Sequence, residues 1–308
     1  MTDDWILLWG QKSWLSASGS LLLGAAGLVA LGFCRRRVSQ TTLTAAWNWA
    51  VASLLAVAAL EIWLATGSSI DAGWTAHARY AVAITTLAPQ MAVLGAKRPQ
   101  HRAWQFIVGS LLLVLALPAV GSVMRGGDAL SIAGPWRWFL AVLIVVGWAN
   151  YAATRFWPSS FLLAAGQWSL LSAHLPWPAD EPPAIRPIWG VALAVAAAAW
   201  VAADVPRARN RSDPINGLWL DFRDTLGSLW CLRVAERFNA TARAQDWPLR
   251  LTWRGVEWTV AEPDAASVAA AKRSLRMLLR RFVSPRWISQ RLISGGKTEL
   301  PEAPGTAN

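Results

Sequence analysis

Five polar residues stand out against long apolar runs: Glu61, His77, Arg79, Gln167 and His174. An ionisable group among apolar residues is costly to keep and is a functional candidate by default. Glu61 ends one apolar run, and His77 and Arg79 open the next, across the short stretch "GSSIDAG". A carboxylate and a guanidinium so placed can pair at a membrane interface and satisfy each other. The alternative is a polar path for an ion or small solute past Glu61, His77 and Gln167. A redox reading also exists. His77 and His174 both fall at the outer ends of their segments, and two facing imidazoles can hold a b-type haem axially. Haem is the single cofactor these residues suggest. Gln167 and His174 are seven residues apart, so in one helix they share a face. There they would join Ser169 or Ser172 in helix–helix hydrogen bonds.

Other chemistry lacks its groups. The chain has no G-x-S-x-G elbow, H-E-x-x-H pair, Walker A loop or G-x-G-x-x-G fingerprint, so hydrolytic and nucleotide-dependent sites have no starting point. Cys34 and Cys231 make neither a C-x-x-C nor a zinc spacing. No catalytic or metal-binding residue is expected, and the protein reads as a non-enzyme.

The elements that must position these residues are membrane helices. The chain of 308 residues is 55% apolar and 15% charged, against about 25% charged in a soluble domain. A bilayer core needs about 20 mostly apolar residues per helix. Seven segments come close: 14–34, 43–65, 76–96, 103–123, 136–157, 159–175 and 187–204. The sixth is short and polar enough to be re-entrant, and Pro89 and Pro118 are expected to kink the third and fourth. Arg35, Arg36, Arg37, Lys97, Arg98, Arg102 and Arg155 fall between segments on one side, which marks that side as cytoplasmic. The tryptophans cluster at the expected segment ends, the headgroup level that Trp favours. The first segment lacks a preceding basic region and is read as a retained span. The expected topology is N-terminus outside and C-terminus inside, in the cytoplasmic membrane of a bacterium.

After Asp204 the apolar runs give way to dense charge. Leu218, Phe222, Leu226, Leu229 and Arg233 recur at helical spacing. Leu249, Leu251, Trp253, then Val256, Trp258 and Val260 alternate around Arg254-Gly255, the pattern of a hairpin with a two-residue turn. A second helix runs between Pro263 and Pro285, with the stripe Val268, Ala271, Leu275, Leu278, Leu279 and Phe282. Arg273, Arg276 and Arg280 lie on one face of it, with Lys272 and Arg281 adjacent.

The expected whole is an all-α polytopic membrane protein: a seven-helix transmembrane domain at 1–204, a small basic α-β-β-α cytoplasmic domain at 205–293 and a disordered end at 294–308. Its partners would be the bilayer itself and, at Arg273, Arg276 and Arg280, anionic lipid or a cytoplasmic protein. Nucleic acid is disfavoured, because no aromatic residues interleave with these arginines as a base-stacking platform requires. The function this implies is anchoring a docking domain; transport and haem-based redox are the alternatives.

Overall fold

The computed structural model describes residues 4–65, 72–100, 102–126, 130, 132–176, 187–203, 214–262 and 264–293. The stretches 66–71 and 177–186, expected as outer loops, and the end 294–308 lie outside these. The chain is mostly helical and divides into two compact units, Met1–Asp204 and Val205–Asn308.

The first unit is built from α1 (Asp4–Val38), α2 (Thr44–Ala65), α3 (Ala72–Thr85), α4 (Ala88–Leu94), α5 (Ala103–Met124), α6 (Gly134–Ala152), α7 (Trp157–Leu170) and α8 (Pro187–Ala203). Three stretches, Ser18–Val38, Thr44–Ala65 and Ala103–Met124, are long and apolar enough to cross a membrane. At about 1.5 Å per residue each reaches about 32 Å, close to the hydrocarbon thickness. α8 is as apolar but shorter.

Two expected helices are interrupted. The segment 76–96 breaks between α3 and α4 at Thr86-Leu87, and Pro89 lies in the first turn of α4. Proline has no N–H to give the carbonyl four residues back, and its ring crowds that carbonyl. The segment 159–175 also fails to run through. α7 stops at Leu170, and a 3-10 turn, Ser172–His174, follows. Gln167 and His174 therefore do not share one helix face, because the backbone changes pitch between them.

Around the α3–α4 break, Tyr80, Ile84, Leu87 and Met91 pack with Val108 and Leu115 of α5, Leu140 and Ile144 of α6, and Leu171 and Leu175 beyond α7. A second cluster joins Val57 of α2 to Val191 and Val195 of α8. α7 and α8 touch through backbone: a Cβ added at Gly166 would lie 2.8 Å from the carbonyl oxygen of Gly190. Small residues permit such close approach between helices.

The second unit comprises α9 (Pro214–Ala244), β1 (Leu249–Leu251), β2 (Val256–Trp258), α10 (Ala265–Leu279) and α11 (Pro285–Ile293). α9 is two helices in tandem, because Gly227 adopts φ 78°, ψ −175°. Leu218, Phe222 and Leu226 are buried before the break, and Trp230, Val234 and Phe238 after it. In a straight helix a four-residue step turns the face by about 40°, so the break interrupts a drift that six such positions would accumulate. The expected stripe through Leu229 and Arg233 is displaced by this, and Arg233 is exposed.

β1 and β2 are antiparallel, with Leu251 opposite Val256. The loop is thus Thr252–Gly255, longer than the expected two residues. Side chains of α9 take the carbonyls that further strand pairing would have used: Trp219 Nε1 donates to Thr252 O at 2.9 Å, and an Arg223 guanidinium nitrogen to Trp253 O at 2.8 Å. α11 is an element beyond the expected α-β-β-α order. α10 stops at Leu279, and Pro285, expected only to follow that helix, instead begins the next, where its missing N–H costs nothing. The Ser284 hydroxyl caps it by accepting from Trp287 N–H at 3.2 Å. Trp287 and Ile288 are buried, completing a core with Phe222, Trp230, Leu275, Leu279 and Phe282.

Candidate functional site

Glu61 and Arg79 meet side on: Arg79 Nε lies 3.3 Å from Glu61 Oε1 and a terminal nitrogen 3.4 Å from Oε2. The Arg79 side chain is 43% exposed and that of Glu61 17%. The pair that the sequence spacing suggests is present. Beside it, Trp63 and Trp74 stand edge to face with ring centroids 6.5 Å apart.

His77 is buried, and its Nδ1 lies 2.6 Å from the carbonyl oxygen of Gly73 one turn earlier. Donation to that carbonyl puts the proton on Nδ1 and leaves Nε2 as a lone-pair atom. Nε2 is buried and has no hydrogen-bond partner among the described residues. One turn on from His77, Tyr80 is fully buried. Its hydroxyl donates to Leu115 O at 2.8 Å and accepts from Trp136 Nε1 at 3.0 Å. The ring of His174 stands edge to face against Tyr80 at 5.0 Å. Tyr80, three residues after His77 in α3, is thus in ring contact with His174.

Gln167 has a different task. Its side-chain nitrogen donates to Thr86 O at 2.7 Å, and Ser53 Oγ donates to Thr85 O at 2.6 Å. Thr85 is the residue four before Pro89, so its carbonyl is the one the proline leaves without an N–H. Buried away from water, a broken helix must find such partners on its neighbours. Ser53 from α2 and Gln167 from α7 supply them. Gln90 of α4 reaches across to Leu143 O of α6 at 2.9 Å. His77 and Thr86 are nine residues apart, about 13 Å along a helix. Glu61, His77 and Gln167 thus each bond a different partner. Ser53 was missed in the sequence; the proline four residues after Thr85 is the signal that points to a donor of its kind.

In the second unit, Asp264 caps α10 by accepting Ser267 N–H at 2.7 Å. That hydrogen bond holds its carboxyl below the ordinary aspartate value. Arg273, Arg276 and Arg280 are all exposed, as are Arg281 and Met277. Met277, 66% exposed, lies among the three arginines at helical spacing. The opposite side of α10 buries Ala271, Leu275 and Leu279. Cys231 is buried, and desolvation pushes its thiol well above the usual range. A protonated, enclosed thiol is a poor nucleophile.

No family model, characterised protein or solved structure matches this chain. Among the described residues no group of three or more His, Cys, Asp or Glu side chains could hold a metal ion.

Proposed function

We propose that the chain is a multi-pass, non-catalytic integral membrane protein that presents a basic cytoplasmic domain to the anionic inner leaflet of a bacterial cytoplasmic membrane. The exterior of the first unit supports membrane residence. Phe106, Leu113, Leu117, Met124 and Trp138 are between 58% and 82% exposed. In water a continuous apolar surface of this kind drives association, whereas lipid solvates it. On this reading α3 and α4 form one broken span, α7 with its 3-10 turn forms a short sixth, and the chain crosses seven times. The Arg35–Arg37 end of α1 and the Lys97–Arg102 turn then face the cytoplasm.

The observation that carries the docking function is the exposed face of α10. Arg273, Arg276 and Arg280 supply positive charge around an apolar Met277, the combination that suits the boundary between headgroups and acyl chains. Each basic residue near an anionic surface contributes about 1 kcal/mol. The test uses the full chain in nanodiscs, with Met277→Cys carrying an environment-sensitive fluorophore. Its emission should shift to the blue when phosphatidylglycerol replaces phosphatidylcholine, and revert as salt rises. Replacing the three arginines by glutamine should abolish the shift. Emission indifferent to lipid charge would sink the lipid reading and favour a protein partner for this face.

A second reading has one observation behind it. The buried, unpartnered Nε2 of His77 is available as an axial haem ligand, with His174 in ring contact with Tyr80 three residues on. A Soret band in the purified protein, lost in His77→Ala, would establish it; its absence after haem loading would end it.

A further inference from the structure

Within the first unit a cavity of about 280 Å³ lies between α1, α2, α4, α6, α7 and α8. It is long and narrow. Its walls run along α1 from Gly27 to Val38 and along α2 from Leu43 to Val57, about 16 and 21 Å by helical rise. The space exists because facing positions are small: Ala46, Ala50, Ala194 and Ala198 line it. None of the lining residues is charged. Three of its hydroxyls are engaged: Ser53 shares its proton between the Trp49 and Thr85 carbonyls, Thr86 donates to Ala83 O at 2.6 Å, and Ser159 donates to Ala197 O at 2.9 Å. These walls offer a polar ligand few partners, while an alkyl chain needs none.

Exposed guanidinium groups gather at one end. Cys34, Val38, Trp47 and Val201 line that end. The Arg35 guanidinium lies over the Trp47 ring at 5.4 Å, and Arg37 donates to Val201 O at 2.7 Å and Ala202 O at 3.3 Å. Arg37 thereby ties α1 to the last turn of α8, and Arg35 and Arg36 remain exposed. An apolar slot with exposed guanidinium groups at one end matches an anionic amphiphile in both shape and charge.

We infer that this cavity holds one acyl chain of an anionic phospholipid, with its phosphate bound by Arg35. This rests on the first unit lying in a bilayer, and takes nothing from α10. Cys34 is the built-in reporter, because its side chain lines the slot and is covered when the slot is filled. In full-length protein stripped of lipid in detergent, phosphatidylglycerol should slow modification of Cys34 by N-ethylmaleimide. Phosphatidylcholine of the same chains should protect far less. Cys231, fully buried in the other unit, is the internal reference. Native mass spectrometry of the same protein should show one saturable phosphatidylglycerol adduct. Removing one arginine in Arg35→Gln should weaken its retention about fivefold. Ala50→Leu should reduce both adduct and protection by filling the slot, and unmodified protein keeps the Cys34 test open should that variant misfold. Equal protection by the two lipids, or none, would overturn the proposal. A protein that stays monodisperse without detergent would remove the bilayer and with it both this inference and the membrane reading. A detergent-requiring protein with an unprotected Cys34 would remove this inference alone.

Discussion

Asp264 shows how one exposed carboxylate can make a helix pH-sensitive. Its hydrogen bond to Ser267 N–H stabilises the charged form, so the folded value lies below the unfolded one. The cap's contribution is therefore complete above the unfolded carboxylate range, about pH 4, and is lost as pH falls through the folded value. Asp264→Asn should keep an acceptor at the N-cap and flatten this acid dependence, read as α10 helicity against pH. Glu61 and Arg79 are a second residue-scale case. Their positions across "GSSIDAG" made the pair legible without coordinates, since a charge at the end of an apolar run needs an opposite charge nearby. Exposed pairs couple by about 1 kcal/mol or less. A double-mutant cycle with Glu61→Gln and Arg79→Gln should show a small positive coupling in thermal stability, and additive losses would show that the pair contributes nothing. His77 was legible as an unusual residue, but its Gly73 partner was not, because any carbonyl one turn back would read the same.

At the scale of elements, interruptions carry most of what the hydropathy pattern hides. A window of apolar residues registers the 76–96 segment as one span, since Thr86 and Leu87 cost little in mean hydropathy. The break is instead written in Pro89 and in the donors aimed at it. Ser53→Ala and Gln167→Leu should each destabilise the protein by about 1–3 kcal/mol, the cost of leaving a buried carbonyl unpaired. Asparagine at Gln167 is too short to reach, so Gln167→Asn should resemble Gln167→Leu in a thermal melt. Gly227 is the matching case in α9. With φ 78° and ψ −175° it occupies a region that is essentially reserved for glycine. Gly227→Ala should lower stability by about 1–3 kcal/mol, measurable as earlier proteolysis of the second unit on heating. The four-residue spacing of Leu218, Phe222, Leu226, Trp230, Val234 and Phe238 hints at this break, because no straight helix keeps such a series on one face. The hairpin and α10 were legible from alternation and stripe. α11 was not, because a proline that ends a helix and one that begins the next look alike.

At the scale of the whole molecule, orientation is the property on which the remaining readings depend, and it rests on charge. The turn holding Lys97, Arg98 and Arg102 is fastened from both sides: the Thr42 hydroxyl donates to Ala96 O, and Trp104 Nε1 donates to Met91 O at 2.9 Å. Gly95 has no room for a side chain there, since an added Cβ would meet the Trp104 ring. The basic residues are thus held at a fixed place between α4 and α5. Moving them through lipid would require desolvating several guanidinium and ammonium groups together, each costing about 2.5–3.5 kcal/mol or more at the bilayer centre. This fixes what labelling should find. Cys34 and Cys231 are first replaced by alanine, so that cysteines introduced singly carry the whole signal. At Ser69 and Ala179 they should react with a membrane-impermeant thiol reagent applied to intact cells. At Gln100, exposed in the basic turn, and at Met277 on α10, they should react only after the membrane is opened. Labelling of Gln100→Cys in intact cells would invert the topology and carry the α10 arginines to the outer face, away from the inner leaflet they are proposed to bind. Labelling at Met277→Cys alone would instead mean an even number of crossings, with α7 and its 3-10 turn entering and leaving the bilayer on one side.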